Sequence, residues 1–183
     1  MQAKPRSFRQ KISLIIVAMI AAIVSGCVES HTPILTKTEP ILGSQFEVHL
    51  YSTFVAGRAR NVEVLVYRWY NHEYRRAEQQ SEDAAELVVE SLDETSFIVQ
   101  TRNSDDAPLH YSIAQKIFDG VFLVRPIEET DAAPETQAKI CGNHVSGIIC
   151  MIRNSDQLVE LAHATAGKPP HNPLLAVIVR SGE

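Results

Sequence analysis

Cys141 and His144 stand at Cys-x-x-His spacing, which brings a thiol within reach of an imidazole that could act as its base. Cys150 follows nine residues after Cys141 and competes for the same thiol. One Cys-x-x-His pair supplies too few ligands for zinc. His72-Glu73 opens like a zincin helix, but the second histidine of that signature would fall at 76, which is Arg76. Around Ser146 the chain reads Gly142-Asn143-His144-Val145-Ser146-Gly147, not a nucleophile elbow. No phosphate-binding loop or dinucleotide fingerprint occurs, so no cofactor is expected. His31, His49, His72, His110, His144, His163 and His171 are never at H-x-H or H-x₃-H spacing, and no metal site is expected. His49 and His110 fall on the polar faces of predicted strands and read as solvated. His163 reads as a partly buried, hydrogen-bonded helix residue. The acidic runs Asp105-Asp106 and Glu128-Glu129 with Asp131 lack EF-hand spacing and read as solvated loops.

A second cluster has the composition of a binding surface. Tyr67, Arg68, Trp69, Tyr70, His72, Tyr74, Arg75 and Arg76 combine aromatic rings with cations. Such residues dominate protein interfaces and can stack on sugars. The competing reading puts Tyr67 and Trp69 in the core, with the arginines offsetting nearby acids.

The third reactive residue is Cys27, and what precedes it gives it a role. Lys4, Arg6, Arg9 and Lys11 form a basic start with no acid. Ile12–Val24 is then apolar apart from Ser13. Thirteen residues make a helix of about 20 Å, short of the ~30 Å hydrocarbon core, so this is an export signal rather than a span. Val24-Ser25-Gly26-Cys27 follows and resembles the lipobox of bacterial lipoproteins. That resemblance implies a diacylglycerol thioether on Cys27, cleavage before it, and acylation of the new amine, with palmitate among the chains. Several acyl chains at ~0.8 kcal/mol per buried CH₂ hold a protein to a bilayer stably. Residue 28 is valine rather than aspartate, which in this class favours the outer membrane facing the periplasm.

Charge and cysteines follow from this processing. Removing residues 1–26 takes the 17 basic residues to 13 against 22 acids, a formal −9. Such a domain repels nucleic acid and anionic lipid surfaces. The bilayer is therefore reached through the lipid on Cys27, and further partners would be envelope proteins or glycans. With Cys27 acylated, Cys141 and Cys150 remain, and an oxidising periplasm predicts a disulfide between them.

The elements that must position these groups are mostly strands. Phe46, Val48 and Leu50 alternate with Gln45, Glu47 and His49, the period of a half-buried strand. Val62–Tyr70 is apolar on both faces and reads as a central or helix-covered strand. Tyr74–Glu86 reads as a short helix or an exposed loop. Leu87–Leu92 and Phe97–Thr101 pair across Asp93-Glu94-Thr95. Leu109–Ile117 and Val121–Val124 form a hairpin on Asp119-Gly120, expected as a type I′ turn. Cys141–Cys150 is expected to bracket a turn between short strands. Ser155 is the expected cap of a helix burying Leu158, Leu161, Ala162 and Thr165, stopped at Gly167. Leu174–Val179 closes the chain as a buried strand. The expected organisation is a signal peptide over 1–26, a lipidated cysteine with a flexible tether over 27–43, and one domain over 44–183. The expected fold is α+β, a mostly antiparallel sheet with one clear helix near the C-terminus; an all-β sandwich or barrel is the alternative. The expected function is a non-catalytic binding or assembly domain held at the envelope. A periplasmic enzyme with a dispersed site and a small-ligand carrier or sensor are the alternatives. Radiolabelled palmitate should enter the wild-type protein in growing cells and be lost in Cys27→Ser; equal labelling of the two proteins would refute the lipobox.

Overall fold

The computed structural model describes residues 28–36, 40–55, 58–77, 86–102, 106–142, 149–169 and 173–180. Its strands are β1 (Val28–Ser30), β2 (Gln45–Val55), β3 (Arg58–Tyr70), β4 (Glu73–Arg76), β5 (Glu86–Ser91), β6 (Ser96–Arg102), β7 (Leu109–Phe118), β8 (Val121–Pro126), β9 (Cys150–Met151) and β10 (Leu174–Arg180). Its helices are α1 (Pro134–Cys141) and α2 (Ser155–Ala166), preceded by a 3₁₀ turn at Glu129–Asp131.

Strands β2 to β8 form an antiparallel meander, each paired with the next. β10 then pairs antiparallel with β8 along one edge and with β2 along the other. The eight strands close into a barrel, with β1 and β9 attached to its wall. This corrects the α+β expectation in favour of its barrel alternative. The helices cover one flank of a closed ring and share no layer with an open sheet. Alternation survives closure. Phe46, Val48 and Leu50 of β2 line the interior, as do Phe97 and Val99 of β6 and Ala176 and Ile178 of β10.

The turns differ from expectation in an instructive way. Asn71 (φ 46°) and His72 (φ 72°) are both left-handed, so the two-residue turn between β3 and β4 has the type I′ signature. At Asp119-Gly120 only Gly120 is left-handed (φ 69°), and the register shifts between Lys116 and Phe118. That is a glycine bulge rather than a type I′ turn. Gly120 has a second constraint, since its carbonyl accepts from Ile178 N at 2.7 Å. An added Cβ would meet Ile178 O at 3.0 Å. Between β5 and β6, Asp93 Oδ1 accepts from Thr95 N and Ser96 N, both at 2.8 Å. These bonds hold its carboxyl below the ordinary range.

The principal core lies outside the barrel. Val88, Ile98, Tyr111 and Ile113 face outward and pack against Leu158, Leu161 and Ala162 of α2 together with Val28, Ile127 and Ile152. The apolar stripe of α2 is the one its sequence predicts, with Thr165 also buried. Its cap is Asn154 rather than Ser155: Asn154 Oδ1 accepts from Gln157 N at 3.0 Å. Gly167 ends the helix as expected, but in right-handed geometry (φ −74°). His163 is exposed, not partly buried. Cys141 ends α1 instead of a strand, and Cys150 lies in β9. The two form the expected disulfide, with Cα atoms 4.9 Å apart. A ring this small is worth about 2–3 kcal/mol in the chain-entropy account. Residues 143–148, including His144, lie outside the described residues.

Two buried polar devices fix the outer elements. Arg125, 5% exposed, reaches from β8 to the C-terminal end of α2. Its guanidinium donates to the carbonyls of Thr165 and Lys168 and lies 3.6 Å from the Asp131 carboxylate. A cation is favoured where helix carbonyls are left without N–H partners. The Glu128–Glu135 stretch is therefore not a simple solvated loop; Asp131 turns inward to Arg125. Gln100, on the outer face of β6, accepts at Oε1 from Ile34 N and Leu35 N, both at 3.1 Å. The Tyr111 hydroxyl lies 3.2 Å from the same oxygen and 2.6 Å from Ser30 Oγ. The stretch Val28–Leu35 is consequently not a free tether. β1 lies between β7 and β9, and Val28 is fully buried. Glu29 and Ser30 look solvated in sequence, but the first lies 3.3 Å from His110 Nδ1 and the second meets Tyr111.

Arg125→Ala should cost on the order of 3 kcal/mol in urea denaturation, because it removes the buried guanidinium bonds to the Thr165 and Lys168 carbonyls and the ionic partner of Asp131. A loss under about 1 kcal/mol would show that apolar packing alone holds the helix.

Candidate functional site: the barrel interior

All eight ring strands border one cavity of about 260 Å³ inside the barrel. The strand period builds it, because residues two apart on each strand point inward. Eight strands leave an interior just wide enough to be filled by side chains or to hold one small ligand. Here the filling is incomplete. Ser112 and Ala114 on β7 and Ala176 on β10 are small residues at inward positions.

The two ends of the cavity differ. At one end Phe46, Tyr67 and Tyr74 form an aromatic floor. The Phe46 and Tyr67 rings stack at 5.5 Å, and Tyr74 meets Phe46 edge-on at 4.8 Å. Trp69, the single tryptophan of the chain, packs edge-on against Tyr74 at 4.7 Å. The segment Pro40–Ser44 crosses this end. Leu42 N donates to Tyr74 Oη at 3.0 Å, and the Tyr74 hydroxyl donates to Gly43 O at 3.1 Å. Phe97 and Phe122 meet edge-on at 5.8 Å on the opposite wall.

The other end is charged and hydroxylated. Arg76 Nη2 donates to Glu63 Oε1 at 2.9 Å. Arg102 Nε lies 3.4 Å from Glu86 Oε2 at the same end, but this pair stands at outward positions, on the faces of Gln100 and Val88. Thr101 and Ser112 add hydroxyls to the rim, which Arg76 and Glu63 border. Among the described residues, neither a histidine nor a thiol lines the cavity. His110 stands beyond the rim beside Glu29, mostly buried, where sequence alone placed it in solvent. Among the described residues no group of three or more His, Cys, Asp or Glu is placed to hold a metal. The arrangement can enclose an apolar body and hydrogen-bond a polar end; it presents no nucleophile with a base.

The aromatic and basic cluster of the sequence is divided by the β3–β4 hairpin. Tyr67 and Arg76 border the cavity, while Tyr74 and Trp69 pack in its floor. Tyr70 is exposed on the other face, with Arg75 over its ring at 4.9 Å. Arg75 also donates to Glu73 Oε1 at 2.6 Å, and Arg68 donates to Gln45 Oε1 at 3.0 Å. His72 is exposed in the turn. The eight residues therefore serve two separate surfaces. Glu63, which completes the inward ion pair, carries no motif. Only its odd placement at an inward position of an apolar strand marks it; Glu86 and Arg102 stand at outward positions, on the faces of Val88 and Gln100.

No family model, no curated protein and no solved structure matches this chain.

Burial pushes the Tyr67 hydroxyl up to about 12; Arg76 works against that shift, and Glu63 adds to it. The folded pKa is raised, so its contribution to stability is complete below the ordinary tyrosine value and fades as pH rises through the folded value. Wild-type protein should lose on the order of 2 kcal/mol across that alkaline window by denaturant titration, and Tyr67→Phe should lose markedly less. Identical alkaline slopes for both would show that the hydroxyl is hydrated.

Proposed function

We propose that this chain is a lipid-anchored envelope protein whose barrel binds a small apolar or amphipathic molecule without transforming it. The carrying observation is the unfilled, mainly apolar cavity of about 260 Å³ inside a closed ring of strands. Apolar space of this size left without side chains forgoes packing contacts that a filled core would make. Leucine at 114 or 176 would recover part of that. A sequence that keeps alanine there retains space that stability alone would fill, which supports a ligand.

The described lining, an apolar wall with hydroxyls and a closed ion pair at one end, suits holding a molecule and so supports the carrier reading over a dispersed catalytic site. The lipobox supports the location. If Cys27 is acylated, the lipid joins the chain one residue before the buried Val28. A trans peptide separates neighbouring Cα atoms by about 3.8 Å, so almost no slack lies between lipid and barrel wall. The barrel would then stand directly on the bilayer, where apolar molecules concentrate.

Protein released gently from the envelope should carry about one equivalent of a small apolar or amphipathic molecule by native mass spectrometry and organic extraction. Ala176→Phe, which places a ring in the cavity, should lose it while keeping the wild-type circular dichroism. Wild-type protein that extracts empty, and whose Trp69 emission responds saturably to no apolar probe, would refute the reading.

A further inference from the structure

We infer that the molecule held in the barrel is a single-chain amphiphile of about nine non-hydrogen atoms whose head is uncharged, of the hydroxyl or amide type. The inference rests on the ligand-binding reading above and adds the chemical class.

Volume sets the size. Liquid water takes about 30 Å³ per molecule, close to one methylene, so the cavity of about 260 Å³ holds roughly nine such groups. Shape sets the single chain. From Phe97 near the floor to Thr101 at the rim, β6 advances four residues, roughly 13 Å along the strand. An eight-stranded ring gives little width around that length.

Polarity sets the orientation. The floor is aromatic, the middle is aliphatic with Val48, Leu65 and Val99, and the ionic groups gather at the far end. A tail on the floor leaves a head at Glu63 and Arg76, with Thr101 and Ser112 beside them.

Charge balance sets the head. The rim matches its inward guanidinium with a carboxylate: Arg76 meets Glu63 at 2.9 Å. Both side chains are more than two-thirds buried. Arg125 borders the same end, but its guanidinium is bound to the Thr165 and Lys168 carbonyls at the end of α2. An anionic head would meet the Glu63 carboxylate beside Arg76 and gain little net attraction from a pair already in balance. A cationic head would meet Arg76 in the same way. A hydroxyl or amide donates to one group and accepts from another without altering the charge. Thr101 and Ser112 extend that uncharged hydrogen-bonding surface.

The test compares 1-octanol with octanoate, at a pH where the acid is ionised, on the full chain in phosphatidylcholine vesicles. Trp69 emission reports occupancy at the floor. The signal from the filled-cavity variant Ala176→Phe is subtracted to remove partitioning into lipid. Octanol should reach half-saturation at a concentration about tenfold or more below that of octanoate. Glu63→Gln should leave octanol binding in place and bring octanoate level with it or ahead of it. Octanoate binding as tightly as octanol to the wild-type protein would overturn the inference while the barrel remains a ligand site. So would a Glu63→Gln variant that leaves the preference unchanged. Saturable binding of neither probe would overturn the ligand-binding reading along with it.

Discussion

The structure depends on the pairing of β10. Seven residues, Leu174–Arg180, bond antiparallel to Phe46–Ser52 of β2, and four of them also bond to Val121–Val124 of β8. Without this strand the meander would be an open sheet with two exposed edges, each a template for association. With it the ring closes, and the inward face of every strand becomes a wall of one enclosed space. Gly120 is part of the same constraint. Its left-handed turn brings its carbonyl to Ile178 N, so the β7–β8 hairpin and the closing strand are tied at that end.

Closure divides the apolar residues between two environments. Outside the ring, α2 and β1 cover β5 to β7 and build a packed core. There the polar groups act as pins: Gln100 holds the backbone of Ile34 and Leu35, and Arg125 holds the end of α2. A buried amide or guanidinium is costly unless its bonds are made, so these side chains permit only one seating of the elements they touch. Inside the ring the wall is apolar but the packing is incomplete. Its ionic groups are confined to one end, where each charge meets its opposite.

The two environments meet at β1. Val28 sits in the outer core, and Glu29 lies beside His110 near the charged end of the ring. An anchor at residue 27 would therefore emerge on the flank close to that rim. On the proposed reading, the ligand site, the anchor and the docked N-terminal strand would form one arrangement, with no long linker between cavity and bilayer.

Sequence alone determined β2, β3, β5 to β8 and β10, the alternating faces of β2 and β7, the apolar stripe of α2 and the pairing of Cys141 with Cys150. It missed the short strands β1 and β4, and β4 overlaps the start of the Tyr74–Glu86 stretch it read as helix or loop. Each feature it determined is a local regularity: a period of two, a period of 3.6, or two thiols close along the chain. It also supplied the reading of residues 1–27, which rests on composition and a tetrapeptide. It could not decide closure, because alternation states which face is buried and not whether the burying surface is a second sheet, a helix or the far wall of the same ring. It gave β1 to a tether because Glu29 and Ser30 look solvated until His110 and Tyr111 meet them, 81 residues on in both cases. It joined Tyr67 to Arg76 as one patch because neighbours in sequence seem neighbours in function, whereas a β-hairpin sends alternate side chains to opposite faces. Only the tertiary structure could gather Glu63, Arg76, Thr101 and Ser112 at one rim. They stand on four different strands, and their proximity follows from the ring having come round to meet itself.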